Sequence, residues 1–273
     1  MSLGDVRPWE ESYAERFKDR LPKVYIGFIA YGDIYPEVFL SAIHWAFQAG
    51  ARYKGKFEFC WAQEPFAKKE QYRARNSLTL EAQKAGADFV LTLDDDHTLA
   101  DCPDIVGHFF REEKPLQGGL YIQRTDEIEQ PVICKSLGGD KYGFCSYEEL
   151  PPYPGGPVEV LGGGVNWIDA RLLDFMQEPH YWPPNTAPEG RTPLFLPNTK
   201  YGLDLQLCRA ATALGVTPWL NRNVELGHVV HERSILRPRG KEGNAICPQC
   251  TGLMIHDRDR WRCNTCQTEA QAA

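Results

Sequence analysis

The sequence predicts an α/β fold with a mainly parallel sheet, followed by a small separate unit at the C-terminus. Three observations lead to this prediction. Strand-like and helix-like segments alternate from residue 23 to residue 94, an order that favours right-handed crossovers between parallel strands. An apolar strand then ends abruptly in three aspartates, Asp94, Asp95 and Asp96. Two Cys-x-x-Cys pairs lie close together near the C-terminus.

The alternating segments of the first half define the sheet. Residues 23–32 are almost continuously apolar and end in glycine, which indicates a core strand. Residues 36–50 have helical spacing, with a proline suited to the first turn and a glycine suited to the stop. Residues 56–63 alternate as a strand does, and residues 67–86 form a long helical pattern that leads into the acidic strand at 89–93. This order predicts helices on both faces of the sheet.

The rest of the chain is less regular and contains one long proline-rich segment. Residues 178–200 hold six of the 20 prolines, so this segment is expected to be a lid, a binding loop or a disordered stretch. The other expected elements are a short amphipathic helix at 8–19, a helix at 101–114, a strand at 115–124, a hairpin at 131–147, a strand, glycine turn and helix at 157–176, a helix at 202–215 and a strand at 217–232.

Composition limits the classes of protein to which the chain can belong. Its 273 residues, 42% of them hydrophobic, are enough for one large domain and a small appendage. The net charge of −7 argues against a generally basic nucleic-acid binder. No run of about 18 apolar residues is present, so no membrane span is expected. The polar start of the chain favours the reducing cytoplasm, where scattered cysteines are core residues: Cys60, Cys102, Cys134, Cys145 and Cys208.

The acidic end of the 89–93 strand predicts a binding site. Neighbouring carboxylates raise each other's pKa, so a buried strand that ends in Asp94, Asp95 and Asp96 needs positive charge nearby. The usual partner is a divalent cation with oxygen ligands, and ligands bind at the carboxyl ends of strands in open α/β sheets. We therefore predict a metal and diphosphate site. The alternative is a solvated acidic turn, because aspartate is common in turns.

Six short motifs occur in an order that resembles the GT-A-type glycosyltransferases, the broad family that uses nucleotide-diphosphate sugars. They are RARN, GADFVLTLDDDH, GGLY, GGGVNWIDARLL, GLDLQLCRAATALG and ELGHVV, and they cover about residues 22–232. The resemblance implies a Rossmann-like sheet whose Asp-x-Asp motif holds Mn²⁺ or Mg²⁺ against the two phosphates of the donor. The resemblance does not extend to the C-terminal cysteines, so we predict a catalytic domain over residues 1–239 and a separate unit over residues 240–273.

The resemblance assigns metal-binding roles to three residues. Asp94 matches the first carboxylate of the motif, expected near the donor ribose or the metal, and Asp96 matches the second, expected to bind the metal. A divalent ion there would stabilise the leaving diphosphate as a Lewis acid. His228 matches a position where many of these enzymes supply a further ligand, and an imidazole beside carboxylates favours Mn²⁺ over Mg²⁺. The alternative for His228 is a satisfied core histidine, and His231 is a weaker candidate for the same role.

Asp204 is the candidate catalytic residue. It matches the acidic residue that begins the acceptor-facing helix of the family, and in inverting members this residue deprotonates the attacking hydroxyl as a general base. The alternative is a purely structural role, because the helix macrodipole favours an acidic residue in the first turn. The position of Asp204 shortly after the proline-rich segment favours the catalytic role.

Further positions that match the family are expected to contact the donor. Arg75 and Asn76 match the region that approaches the nucleotide base and phosphates, and the triple glycine at 162–164 would let the backbone come close to the donor sugar. A tight turn or bulge is the alternative explanation for the glycines. The donor is expected to be a UDP-sugar, as a family default. The full set of expected donor-binding residues is Ala30, Tyr31, Gly32, Arg75, Asn76, Asp94, Asp95, Gly163 and Gly164.

Four cysteines near the C-terminus predict a structural metal site. Cys247, Cys250, Cys263 and Cys266 form two Cys-x-x-Cys pairs with 12 residues between them. Four thiolates at this spacing make a closed tetrahedral Zn²⁺ site with no open ligand position, and so small a unit needs its metal to fold. We therefore predict a zinc ribbon. Basic residues and Trp261 surround it, so it is expected to contact nucleic acid, dock a protein or brace the catalytic domain.

Two classes of acceptor remain open. A short GT-A enzyme with a zinc ribbon and no membrane segment resembles bacteriophage enzymes that glycosylate modified DNA bases such as 5-hydroxymethylcytosine, which implies DNA as a partner and the host cytoplasm as location. The other class is a saccharide or a protein. Within the 178–200 segment, Tyr181 and Trp182 could stack on either a base or a sugar ring.

Two further hypotheses concern the whole protein. A nucleotidyltransferase would also need paired carboxylates, but the glycine-rich loop with Lys or Arg that is typical of that class is missing after the first strand. A zinc-ribbon binding protein with an inactive sheet domain is the hypothesis in which the chain is not an enzyme. It predicts that substitution of Asp96 or Asp204 leaves the biological role intact.

Overall fold

The computed structural model describes most of the chain. The described residues are 7–30, 34–61, 71–124, 129–139, 141–176, 194–195, 202–229, 235–236, 254–257, 260–263 and 269–271. Their α-helices are α1 (Tyr13–Arg16), α2 (Pro36–Arg52), α3 (Gln71–Lys84), α4 (Ile105–Glu112), α5 (Ala170–Met176) and α6 (Leu203–Ala213).

The strands fall into one large sheet and several small ones. In chain order they are β1 (Lys23–Ile29), β2 (Glu58–Trp61), β3 (Phe89–Asp94), β4 (His97–Thr98), β5 (Leu116–Leu120), β6 (Ile122–Arg124), β7 (Glu129–Pro131), β8 (Ile133–Gly138), β9 (Lys141–Phe144), β10 (Gly155–Pro157), β11 (Val160–Leu161), β12 (Val165–Asp169), β13 (Trp219–Glu225), β14 (Gly227–Val229), β15 (Ile235–Leu236), β16 (Met254–Asp257), β17 (Arg260–Cys263) and β18 (Glu269–Gln271).

The large sheet has seven strands in the order β10-β13-β5-β12-β3-β1-β2. Strands β2, β1 and β3 are parallel, and β13 is parallel to β5. Strand β12 runs antiparallel to both β3 and β5, so β5 and β13 have the same direction as β3. Only β12 and β10 are reversed within this sheet. The α/β fold with a mainly parallel sheet is therefore confirmed.

Helices cover both faces of the sheet, as expected for alternating strands and helices. Successive residues of β3 point to opposite faces: Val90 packs in one hydrophobic cluster, whereas Phe89 and Leu91 pack in the other. The first cluster also contains residues of α3, α5 and α6, and the second contains residues of α2 and α4. Strand β3 is buried on both faces, and its acidic carboxyl end lies where the parallel strands of the sheet end.

A small three-stranded sheet lies next to the carboxyl end of β3. Strand β14 pairs antiparallel with β4, which follows the three aspartates, and also with β15. The register places His228 opposite His97. His228 is thus brought to the acidic end of β3 from 132 positions along the chain, which a local sequence pattern does not reveal.

Several elements differ from the expectation. The 115–124 strand breaks at Tyr121 because β5 stays in the large sheet, whereas β6 pairs with β7 in a separate two-stranded sheet. The 217–232 strand breaks at Leu226, whose amide bonds the carbonyl of Leu120 at 3.0 Å. The helix expected at 8–19 is reduced to the one-turn α1.

The hairpin at 131–147 is confirmed as β8 and β9. Its turn glycines, Gly138 and Gly139, have φ angles of 98° and 58°, in the left-handed region where glycine is favoured. Of the proline-rich 178–200 segment, only Leu194 and Phe195 belong to the described residues, and both are buried.

The described C-terminal residues form a three-stranded antiparallel sheet, β16-β17-β18. Cys263 ends β17, whereas Cys247, Cys250 and Cys266 lie outside the described residues, so the zinc ribbon stays a prediction. The domain boundary at residue 239 also falls outside them. No helix in the described part of the chain has the length and hydrophobicity needed to span a membrane.

Candidate active site

The acidic end of β3 is fixed by backbone hydrogen bonds to two neighbouring segments. The amide of Asp94 donates to the carbonyl of Gly164 at 2.9 Å, and the amide of Asp95 donates to the carbonyl of Ile29 at 3.1 Å. Asp95 itself is buried. The aspartates therefore lie between the end of β1 and the triple-glycine turn before β12. These are the two places where the sequence predicted donor-binding residues.

Among the described residues, Arg75 of α3 provides the guanidinium that meets this end of the strand. Its guanidinium is 5% exposed and lies 3.0 Å from Asp94 Oδ1, and it also donates to the carbonyl of Gly163 at 3.2 Å. Burial raises the pKa of Asp94 to about 6, and the Arg75 guanidinium only partly opposes this rise. The same guanidinium thus compensates an aspartate and anchors the glycine turn.

Asp204 reaches the same turn from the first turn of α6. A Cβ atom at position 163 would lie 2.2 Å from Asp204 Oδ1 and 2.8 Å from Arg75 Nη2, so both side chains approach this glycine closely. Only glycine fits at such a close approach. Burial raises the pKa of Asp204, although Arg75 and the Gly163 amide oppose the rise. A carboxylate with a raised pKa in this position is suited to general-base chemistry.

Asp96 lies between two imidazoles. Its Oδ2 is 3.0 Å from Nε2 of His228, and its Oδ1 is 2.6 Å from Nδ1 of His97. The His97 contact does not have the geometry of a hydrogen bond. Burial alone would raise the pKa of Asp96, but the contacts with His228 and His97 outweigh burial and hold it below its usual range. Asp96 is therefore ionised at neutral pH.

His228 has the contacts that orient a histidine ligand. Its Nδ1 lies 2.7 Å from the carbonyl of Ile122, and because a carbonyl can only accept, Nδ1 carries a proton. Nε2 faces a carboxylate oxygen of Asp96, so it carries a proton too; burial would lower the pKa of His228, but this hydrogen bond outweighs burial and raises it. A divalent ion beside Asp96 would replace the Nε2 proton, with Nδ1–H held by the carbonyl as in many metal sites.

The predicted metal ligands are not all brought together. Asp96 and His228 are in contact, whereas Asp94 pairs with Arg75. Within the described residues, no group of three His, Cys, Asp or Glu side chains is arranged to hold a metal ion. Asp96 and His228 fit a divalent cation by their chemistry, and the assignment of Asp94 as a third ligand stays a prediction.

Tyr121 is a residue of the site that the sequence motifs pointed to but did not identify. It follows the glycine pair of the GGLY motif, and its hydroxyl accepts from the amide of Gly164. Its ring packs edge-on against His97, with 4.4 Å between the ring centroids, and His97 in turn stacks on His228 at 5.1 Å. Tyr121 therefore links the glycine turn to the histidine pair. Asn166 adds to this link by donating to the carbonyl of Gly163 at 3.1 Å.

The other predicted donor-binding residues have different positions. Asn76 exchanges two hydrogen bonds with the backbone of Phe195, at 2.7 and 2.9 Å, so its side chain holds a residue of the proline-rich segment. Ala30 is buried just after β1. Tyr31 and Gly32 lie outside the described residues. The donor-binding roles of these residues are untested by the geometry.

The chain was compared with known proteins in three ways. No protein-family model matches it, and no curated protein matches it. Among solved structures, the crystal structure of residues 1–349 of S. aureus TarS is similar, with 12% sequence identity and a TM-score of 0.33. The match covers 74% of this chain and 61% of that one, which is less than two thirds of its length. A likeness this weak carries no argument about function.

Proposed function

We propose that this protein is a metal-dependent glycosyltransferase that moves a sugar from a nucleotide-diphosphate donor to a hydroxyl acceptor. The observation that carries the proposal is the turn at Gly163. Its carbonyl accepts from Arg75, which pairs with Asp94, and its Cα lies so close to Asp204 that a Cβ there would be 2.2 Å from Asp204 Oδ1. A candidate base and the acidic end of β3 are thus joined through one backbone turn.

Asp96 and His228 would hold a divalent ion, Mn²⁺ or Mg²⁺, beside the diphosphate of the donor. The ion would supply Lewis-acid stabilisation of the negative charge that builds on the diphosphate as its bond to the sugar breaks. Arg75 keeps Asp94 and the Gly163 turn in place, because its guanidinium contacts both. Donor binding by the backbone of the glycine turn is part of the proposal.

Asp204 would act as the general base. As the acceptor oxygen attacks the anomeric carbon, the bond from that carbon to the diphosphate oxygen breaks, and the hydroxyl proton passes to the Asp204 carboxylate. The raised pKa of Asp204 supports this role, because a base accepts a proton more readily as its pKa approaches the working pH. Attack opposite the leaving group would invert the anomeric configuration.

The donor and acceptor are proposed on the resemblance alone. We propose a UDP-sugar as donor and 5-hydroxymethylcytosine in DNA as acceptor, with the C-terminal cysteine unit and the 178–200 segment as the parts that contact DNA. A saccharide or protein acceptor is the alternative that the experiment must distinguish. The proposed location is the cytoplasm, that of the host for a phage-encoded protein.

The decisive experiment is mass spectrometry of nucleosides from DNA that carries 5-hydroxymethylcytosine. The full chain would be incubated with this DNA, Mn²⁺ and a panel of nucleotide sugars. We expect a mass gain of one sugar that requires Mn²⁺ and is lost in Asp204→Asn. Asp174→Asn, which changes an exposed aspartate of α5, is the matched control and should keep the gain.

The negative outcomes separate the alternatives. Release of nucleoside diphosphate without a mass gain would keep the glycosyltransferase and overturn the DNA acceptor. No release with any donor would overturn the enzyme proposal and favour a binding protein with an inactive sheet domain.

A further inference from the structure

A cavity of about 490 Å³ lies at the end of the sheet opposite the aspartates. Its lining includes Pro22 and Phe57, which immediately precede β1 and β2. Both strands run in the same direction as β3, which ends at Asp94. The cavity is therefore separate from the candidate active site. Its volume lies within the range of about 300–1,000 Å³ that is usual for ligand pockets.

The lining of the cavity carries more positive than negative charge. Four cations, Arg20, Arg52, Lys56 and Arg111, accompany one carboxylate, that of Asp104. This excess contrasts with the net charge of −7 of the whole chain. Arg20 is committed to Asp88 outside the cavity, through two contacts of 2.6 Å. The remaining three cations are the ones that could meet an anionic ligand.

The charge of Asp104 is already matched. Its carboxylate accepts from Arg111 at 2.8 Å and from the hydroxyl of Tyr53 at 2.9 Å, and Arg52 approaches it only to 3.9 Å. The Arg52 side chain is 35% exposed, and among the described residues it makes no ion pair beyond this long one. Over the same part of the chain, the exposed Lys56 makes no ion pair. Arg52 and Lys56 thus retain unused capacity to bind an anion.

Three phenylalanines form the apolar part of the same cavity. Phe17, Phe57 and Phe110 are each partly exposed. The rings of Phe57 and Phe110 meet edge to face with 5.1 Å between centroids, and Phe17 lies 5.8 Å from Phe110. Aromatic side chains of this kind stack on nucleic-acid bases irrespective of sequence, because every base has a π-face.

We propose that this cavity binds a nucleotide, with its base against the phenylalanines and its phosphate held by Arg52 and Lys56. Guanidinium and ammonium groups bind phosphate through charge-assisted hydrogen bonds, so one small site would recognise both parts of the ligand. The nucleotide is either free or part of a single strand, since the chemistry of the two is shared. The site is independent of the proposed glycosyl transfer.

Titration calorimetry of the full chain tests the proposal. Nucleoside monophosphates, the matching nucleosides, inorganic phosphate and a short single-stranded oligonucleotide would be compared in EDTA, which suppresses metal-dependent binding at the aspartates. Lys56→Glu should weaken nucleotide binding about tenfold, as expected for loss of a charge-assisted contact. Lys54→Glu makes the same charge change at an exposed lysine that does not line the cavity, and it should leave binding unchanged.

A second variant tests the aromatic part of the site. Phe57→Leu keeps an apolar side chain but removes the ring, so nucleotide binding should fall about fivefold or more while binding of inorganic phosphate stays the same. Binding of the oligonucleotide but not the monophosphate would identify a strand as the source, and the reverse would identify a free nucleotide. No binding of either, or equal losses in Lys56→Glu and Lys54→Glu, would overturn the proposal.

Discussion

The two ends of β3 both carry carboxylates, but the charges around them differ. At the start, Asp88 accepts from Arg16 at 2.9 Å and from both terminal nitrogens of Arg20 at 2.6 Å. Arg16 and Arg171 also contact the buried Asp169, each at 2.9 Å. Three guanidinium groups thus face two carboxylates, so the negative charge at this end of the strand is fully compensated.

At the far end, the guanidinium of Arg75 serves both Asp94 and the turn that binds Asp204. The pKa values reflect this difference. Burial raises the pKa of Asp94 to about 6, and Arg75 offsets it only in part. Burial also favours a raised pKa for Asp88, but there the hydrogen bonds from Arg20 and its neighbours outweigh burial, and the pKa is lowered.

The comparison separates carboxylates that neighbouring arginines fully compensate from carboxylates that they compensate only in part. Buried carboxylates that are fully compensated by their own protein contribute to folding and have little left to offer a ligand. A carboxylate cluster with too few positive neighbours destabilises the fold by itself. It is stabilised most by binding a cation or by taking up a proton from solvent. We therefore expect the two ends to respond oppositely to substitution and to pH.

The largest effect should come from removing the shared cation at the start of β3. Arg16→Ala would leave Asp169 and Asp88 with fewer partners in a buried setting, at a cost of about 3–5 kcal/mol in the free energy of unfolding. Urea denaturation measures this change. Lys18→Ala removes an exposed cation that pairs with Glu15 and should cost about 1 kcal/mol or less. Equal effects of the two substitutions would contradict the structural role of this end.

The pH dependence of the unfolding free energy should distinguish the carboxylates at the far end of β3 from those at its start. Because the folded pKa of Asp94 is raised to about 6, the stability tied to its protonated form is fully present below the unfolded pKa of about 3.9 and is lost as pH rises through about 6. The loss amounts to at most about 3 kcal/mol. Denaturation in EDTA from pH 4 to pH 7.5 should show it, and Asp94→Asn should flatten it. An unchanged slope in Asp94→Asn would contradict the assignment, with Asp174→Asn as the control.

A smaller effect is expected for Asp204→Asn, and on catalysis alone. Removal of the general base should lower the transfer rate at least about a hundredfold, equivalent to about 2.7 kcal/mol, while donor affinity stays within about twofold. Steady-state kinetics and donor titration measure the two quantities. Equal losses of donor affinity and rate would indicate a binding role for Asp204 instead.

The smallest effect concerns the glycine turn. In Gly163→Ala the new Cβ would lie 2.2 Å from Asp204 Oδ1, so the carboxylate must shift, at a cost of about 1–3 kcal/mol in unfolding free energy. Transfer should fall with it, because the base is displaced. Gly50→Ala is the matched control, since a Cβ at that helical glycine would meet nothing within 4 Å. A stable and fully active Gly163→Ala would remove the turn from the proposal.

Much of the far end of β3 could be predicted from the sequence. Asp94, Asp96 and Arg75 lie in local motifs, and strand β3 has a strong apolar pattern, so their place at a sheet edge follows from the fold class. The meeting of Asp96 with His228 was expected from the resemblance and is found at 3.0 Å. Such residues are predictable because each one follows a regular element.

The start of β3 could not be predicted in the same way. Arg16 contacts Asp169 across 153 positions of sequence, and nothing in the short N-terminal pattern specifies that contact. Tyr121 was missed as a site residue because its position depends on the break between β5 and β6, which pair in different sheets. Long-range polar contacts of this kind depend on tertiary packing and leave no periodic trace in the chain.

The small sheet formed by β4, β14 and β15 determines which strands unfold together in local unfolding. The amide of Val229 donates to the carbonyl of Asp96 at 2.7 Å, and β15 pairs with β14 on its other side. Strands that share a ladder unfold as one cooperative unit, so their amides exchange with solvent at matched rates. A cut in the chain after Val229 would therefore speed hydrogen exchange at the Val229 amide, which bonds Asp96, before the large sheet loses protection.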